Sequence, residues 1–280
     1  MSSPISITRN DHVTWFKWHR ARRRLTDPVF TGKRILEAMA MGASIEVDLV
    51  VTGDKGFAVL HDKLLDRETT GQGPVAQTSD DVIRLLRLRN NAGAPIAEPV
   101  MLLDDLCTLM ASRTVHPDAL LQLDYKEDET VLDGRAIANF RRATLPVAKN
   151  IIVSSGSAAA VKLLTDAVPG MKIGYDPCYG ESLAALQRTG DCAAFVASAL
   201  EASPDAEMIY LAWQIVLEAG KAGYDMIGAF HAANRRVDCW TIKASDAASI
   251  ATVEKLLALK ADQITTDDPE GLVAALGVPA

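Results

Sequence analysis

The chain is poor in cysteine, and its four thiols, Cys107, Cys178, Cys192 and Cys239, are scattered without a Cys-x-x-Cys pair. That spacing excludes a zinc-ribbon type of site and a disulfide framework, and it fits a reducing cytoplasm. No apolar run approaches the roughly 20 residues of a membrane span, and the opening stretch MSSPISITRNDH is too polar for a secretory signal. A soluble, cytoplasmic protein with no integral membrane segment is expected. No internal repeat or low-complexity tract occurs. Positive charge is not in excess either: 29 Lys and Arg against 36 Asp and Glu leave a net charge of −7, which argues against nucleic acid as a partner. The basic residues gather locally between Arg20 and Arg24, a pattern suited to a small anionic substrate.

What the sequence does have is alternation. With 49% of its 280 residues hydrophobic, the chain can bury one large core. Strand-like runs near 13–19, 44–51, 57–61, 120–125, 150–154, 171–175, 206–212, 237–242 and 262–265 alternate with helical patterns over 32–41, 129–144, 157–167, 180–189, 214–233 and 246–259. Such βα units predict an α/β protein, a single parallel sheet closing as a TIM (β/α)8 barrel over residues 1–280. The interval 63–103 breaks the rhythm with two turn-rich stretches around a short helix near 79–87. It reads as an insertion that caps the active-site face as a partial lid.

The stretch GASIEVDLVVTGDKGFAVLHD, residues 42–62, concentrates the chemistry. Side chains alternate along a strand, so Glu46 and Asp48 converge on one side, inside an otherwise apolar run. Two carboxylates brought together this way call for a cation, and hard oxygen ligands suit Mg²⁺ or Ca²⁺. The alternative is a charged edge pointing to water. The next run closes on His61-Asp62, and an earlier one, VTWFKWHR, closes on His19-Arg20. Two imidazoles, an arginine fork and paired carboxylates are the parts of metal-assisted phosphoryl transfer.

Taken in order, these residues resemble the glycerophosphodiester phosphodiesterase family. His19-Arg20, Gly42-Ala43 with Glu46 and Asp48, and His61-Asp62 with Leu65 and Arg67–Thr70 follow its pattern, and VDCWTIK (237–243) and ADQITTDDP (261–269) match it near the far end. The resemblance implies the TIM barrel and cleavage of a glycerophosphodiester-like small molecule with one divalent cation, Mg²⁺ or Ca²⁺. It implies Glu46, Asp48 and Asp124 as metal ligands, His19 and His61 as an acid–base pair, and Arg20 and Lys126 on the phosphate; His19 is taken as base and His61 as acid, an order the sequence itself does not fix. It also makes Trp240 an apolar wall for the alcohol. Asp124 stands where the family has Glu, and Asp124 with Lys126 could equally be a strand-end salt bridge; Trp240 could equally be core. Ala21, Phe30 and Lys243 replace the family's Gly, a polar residue and Asn, so the expected substrate carries an anionic or polyhydroxylated group beyond plain glycerol, read in part by Arg22–Arg24. A lysophospholipid, an opine-type sugar phosphodiester or a non-catalytic phosphate-binding barrel are the alternatives. Asp267 is read as the cap of the final helix in preference to an arginine partner. His12, His116 and His231 are assigned no chemistry.

Overall fold

The computed structural model describes residues 5–277. Its strands are β1 (Ser6–Arg9), β2 (His12–Trp18), β3 (Ser44–Val51), β4 (Phe57–Val59), β5 (Arg87–Arg89), β6 (Pro95–Pro99), β7 (Leu120–Tyr125), β8 (Ile151–Ser154), β9 (Lys172–Tyr175), β10 (Met208–Ala212), β11 (Arg236–Ile242) and β12 (Gln263–Thr266). Eight of them run parallel in the order β2-β12-β11-β10-β9-β8-β7-β3, and the pairing Trp18↔Ile45 returns β3 to β2. This is the closed barrel that the alternation predicts. All eight residues of β3 are buried, as a strand covered on both faces requires.

The helices are α1 (Gly32–Met41), α2 (Asp80–Leu85), α3 (Leu103–Ala111), α4 (Gly134–Thr144), α5 (Ala158–Asp166), α6 (Gly180–Thr189), α7 (Cys192–Ala202), α8 (Trp213–Lys221), α9 (Met226–Ala232), α10 (Ala247–Ala258) and α11 (Pro269–Ala275). Aliphatic side chains of helices and strands pack into the main apolar layers. The expected helix over 214–233 is two helices. Gly223, at φ 82°, takes the left-handed turn between them, and the Asp225 carboxylate then caps α9 by accepting from the Gly228 N–H at 2.8 Å. The helix expected from 129 begins instead at Gly134, where Asp133 caps it through the N–H groups of Arg135 and Ala136.

The run 57–61 also differs from expectation. Its strand ends at Val59 and folds back antiparallel on β3, so His61 lies beyond a hairpin strand and not at the end of a barrel strand. From there the segment 63–103 packs around buried Val75, Ile83 and Leu88, with α2 and the small β5–β6 hairpin as its regular parts. Asn91 anchors it to the loop after β2 by donating from Nδ2 to the Leu25 carbonyl at 3.1 Å.

Candidate active site

The alternation of β3 turns Glu46 and Asp48 into the barrel, and the register sets Asp124 of β7 directly beside Asp48. Oxygens of the three carboxylates lie within 4.8 Å of one another. Two cations of the chain reach them. Lys126 Nζ stands 2.7 Å from Asp48 Oδ1 and also contacts Asp124 Oδ2, while Arg20 Nε is 3.1 Å from Asp48 Oδ2. The Arg20 backbone N–H donates to Glu46 Oε2 at 2.7 Å.

Burial, reinforced by the charge of Asp48, pushes Glu46 well above the ordinary carboxylate range. Burial also works against ionised Asp48, but Lys126 and Arg20 outweigh it and hold that carboxyl down. Lys126 is pushed upward because Asp124 and Asp48 more than offset its own desolvation. Both Asp48 oxygens are nevertheless buried without accepting a hydrogen bond of proper geometry. Three closely spaced carboxylates, two of them buried and Asp48 with no hydrogen bond on either oxygen, offer the hard oxygen donors that fit a divalent cation of the Mg²⁺ or Ca²⁺ type.

His19 opens a single tight turn directly after β2, and its Nδ1 lies 2.5 Å from Asp267 Oδ1. Arg22 donates from Nη2 to the same oxygen. The reading of Asp267 as the final helix cap is therefore corrected: Asp268 caps α11, accepting from the Gly271 N–H at 3.2 Å, and Asp267 is turned toward His19 and Arg22. Burial lowers the His19 pKa below its ordinary 6.5, with Asp267 opposing the shift. His61 is built in a similar way. Its Nδ1 is 2.8 Å from Asp62 Oδ1, and Arg67 grips both Asp62 oxygens from Nε and Nη2 at 2.5 and 2.6 Å. That grip holds the Asp62 carboxyl down at about 2. The buried Glu68 fixes the backbone beneath, accepting at 2.9 Å from the N–H of His61 and at 2.9 Å from that of Asp62.

His19, Arg20, Glu46, His61, Asp124, Lys126 and Trp240 all line one pocket of about 330 Å³, and Asp48 sits beneath it. Trp240 stacks on Tyr179, with ring centroids 6.1 Å apart and planes 15° from parallel. An outer cleft of about 740 Å³ shares His61, Asp124, Lys126 and Tyr179 and extends past Leu64 and Ser157. The residues expected as metal ligands, acid–base pair, phosphate contacts and apolar wall are thus brought together. The expectation for Arg22–Arg24 is corrected: Arg22 is engaged by Asp267, Arg23 by Glu37 and Glu270, and Arg24 by Glu270, so these guanidinium groups already serve carboxylates of the chain. Lys243, by contrast, is exposed and does line the pocket.

Sequence reasoning missed Glu68, Tyr179 and Asp176. Asp176 follows directly on β9 and lines the pocket, so the rule that barrel chemistry gathers at carboxyl ends of strands could have found it. Glu68 lay inside a stretch already singled out, Arg67–Thr70, and only its burial reveals its part.

Comparison with known proteins bears on the family and the fold. The model of the glycerophosphoryl diester phosphodiesterase family matches residues 31–271, beginning downstream of His19 and Arg20. No curated protein matches the chain. Among solved structures, a candidate glycerophosphoryl diester phosphodiesterase from Agrobacterium tumefaciens strain C58 superposes with a TM-score of 0.68 at 22% identity, over 95% of this chain and 96% of that one. A glycerophosphoryl diester phosphodiesterase from Parabacteroides distasonis gives 0.66 at 15% identity over 98% and 89% of the two chains. A phosphodiesterase of Oleispira antarctica, solved with the product sn-glycerol-3-phosphate, gives 0.63 at 16% identity over 94% and 96%. At these identities the structures speak for the fold, and it is the family model, spanning most of the sequence, that places this chain in the glycerophosphoryl diester phosphodiesterase family.

Proposed function

We propose that the protein hydrolyses a glycerophosphodiester-like substrate to an alcohol and a phosphomonoester, using a divalent cation and a pair of histidines. The observation that carries this reading is the convergence of His19, His61, Arg20 and Lys126 on one pocket above three carboxylates. The product bound in the Oleispira antarctica neighbour supports a glycerol phosphomonoester as the product class.

Glu46, Asp48 and Asp124 would hold Mg²⁺ or Ca²⁺, which supplies polarisation of a phosphoryl oxygen when bound. Arg20 and Lys126 balance the charge that grows on the phosphate in the transition state. His19, its pKa lowered and its Nδ1 fixed by Asp267, is suited to accept a proton at Nε2 from the attacking hydroxyl. His61, held through Nδ1 by Asp62 and Arg67, is suited to give its Nε2 proton to the departing alkoxide. Trp240 and Tyr179 form the apolar wall against which the alcohol rests.

A second reading concerns the alcohol. The 740 Å³ outer cleft, with Leu64 and Tyr179 each about half exposed at its side, favours a diester with a group larger than glycerol, such as a lysophospholipid or sugar phosphodiester. In this reading the insertion, through Lys63 and Leu64, acts as a partial lid and selector. Phosphorus NMR of the protein mixed with glycerophosphodiesters, lysophospholipids and sugar phosphodiesters tests both points, since each diester and its monoester resonate separately. Binding of phosphate without conversion of any diester would instead establish a non-catalytic barrel.

A further inference from the structure

We propose that Ser154 is a positioning residue, the group that presents the short carboxylate of Asp124 to the cation, and that a chain of buried polar groups across the barrel interior sets the direction of its hydrogen bond. This rests on the reading of Glu46, Asp48 and Asp124 as the cation site.

Asp124 is one methylene shorter than the glutamate of the family pattern, so a fixed direction matters more for it. The register of β7 on β8 places Ser154 beside Asp124, and the Ser154 hydroxyl donates to Oδ1 at 2.6 Å. Lys126 holds the other oxygen, Oδ2. Without the serine the carboxylate is free to turn wholly toward the ammonium of Lys126 and away from the ion.

Behind Ser154 the contacts continue inward. Gln122 Nε2 donates to Ser154 Oγ at 2.8 Å, and Gln122 Oε1 accepts from Lys17 Nζ. Lys17 is balanced by Asp238, Nζ to Oδ2 3.0 Å, and sits over the Tyr210 ring at 4.3 Å from its centroid. Thr265 Oγ1 donates to the remaining oxygen of Asp238 at 2.7 Å. Lys17, Gln122, Ser154, Asp238 and Thr265 are all buried, a setting that strengthens these bonds.

Donor and acceptor chemistry allows this chain one direction only. An ammonium can only donate, so Gln122 must turn its oxygen to Lys17 and its NH₂ to Ser154. The serine hydroxyl, having accepted from Gln122, has one proton left, and Asp124 receives it. Residues that orient a metal ligand in this manner typically change metal affinity by about 10–100-fold when removed.

The test is the affinity of the metal-stripped full chain for Mn²⁺, read by electron paramagnetic resonance of the free ion, with the thermal midpoint of the metal-free protein as a control. Ser154→Ala should weaken Mn²⁺ binding by about 10-fold or more while leaving the metal-free midpoint within a few degrees. In an Asp124→Asn background the same change should alter the affinity by less than about twofold, because the coupled partner is already gone. Should Ser154→Ala prove poorly folded, Gln122→Leu, which keeps the hydroxyl but removes both its orientation and one acceptor of Lys17, should give a smaller loss in the same direction. Unchanged affinity in the folded variants, or an equal loss with and without the Asp124 carboxylate, overturns the role of Ser154. Wild-type affinity in Glu46→Gln, Asp48→Asn and Asp124→Asn alike would overturn the cation site itself.

Discussion

His19 and Asp267 stand 248 positions apart in sequence and 2.5 Å apart in space, Nδ1 to Oδ1. They meet because the barrel closes β2 against β12, with Trp18 paired to Thr266 one residue before each. The contact fixes the histidine ring and leaves Nε2 for the pocket. Replacing Asp267 with Asn should therefore lower kcat by about 10²-fold, the lower end of what a positioned acid or base contributes. Asp267 raises the His19 pKa while burial lowers it. With His19 as base, loss of Asp267 should shift the acid limb of kcat/KM to lower pH than in the wild type; a shift upward would contradict the assignment.

His19→Ala and His61→Ala should each reduce kcat on an unactivated diester by about 10²–10⁴-fold. An aryl diester, whose leaving group needs no proton, should restore most of the loss in His61→Ala and little of it in His19→Ala. His116→Ala, at an exposed loop position beside Asp118, should leave kcat unchanged. Steady-state kinetics on the two substrate types decides the matter.

How far the sequence discloses this site depends on the range of the contact. Glu46 and Asp48 could be read because a strand's period of two is local, and an apolar run on both sides marks the strand as buried. Asp267 could not, since its partner is defined by closure of the barrel and not by any neighbour in the chain. α7, CAAFVASALEA, went unread because alanine on every side leaves no amphipathic stripe. The β5–β6 hairpin was hidden by Pro95 and Pro99, residues that ordinarily mark turns or strand edges. Arg22–Arg24 look like an anion-binding cluster in one dimension, and their acidic partners come from Glu37, Asp267 and Glu270.

The Asp62–Arg67 pair gives a prediction for stability against pH. Asp62 titrates at about 2 in the folded chain against an ordinary 3.8, chiefly because of Arg67. A depressed carboxyl contributes stability above its unfolded pKa and loses it as pH falls through the folded one. Both side chains are partly exposed, so Arg67→Ala should cost only about 1 kcal/mol at pH 7. The difference between variant and wild type in unfolding free energy should shrink between pH 3.8 and about 2; denaturant titrations at several pH values measure it, and a difference that grows toward acid would contradict the account.

Trp240→Ala should raise KM more than it lowers kcat if the ring, stacked on Tyr179, serves as the proposed wall for the alcohol and touches no transferring proton. A loss of about 10-fold in kcat/KM corresponds to roughly 1.4 kcal/mol of binding, in the range of one aromatic contact. Should the loss fall wholly on kcat, Trp240 would belong to the chemistry and not to the wall.

The central claim is that a diester is cleaved over Glu46, Asp48 and Asp124 with a divalent cation in place. Phosphorus NMR of metal-stripped protein with glycerophosphoethanolamine, before and after addition of Mg²⁺ or Ca²⁺, tests it most directly, with Asp48→Asn run in parallel. The account predicts a phosphomonoester resonance only after the cation is added, and none from Asp48→Asn. Monoester formed at the same rate by the stripped protein, or by Asp48→Asn, would contradict it.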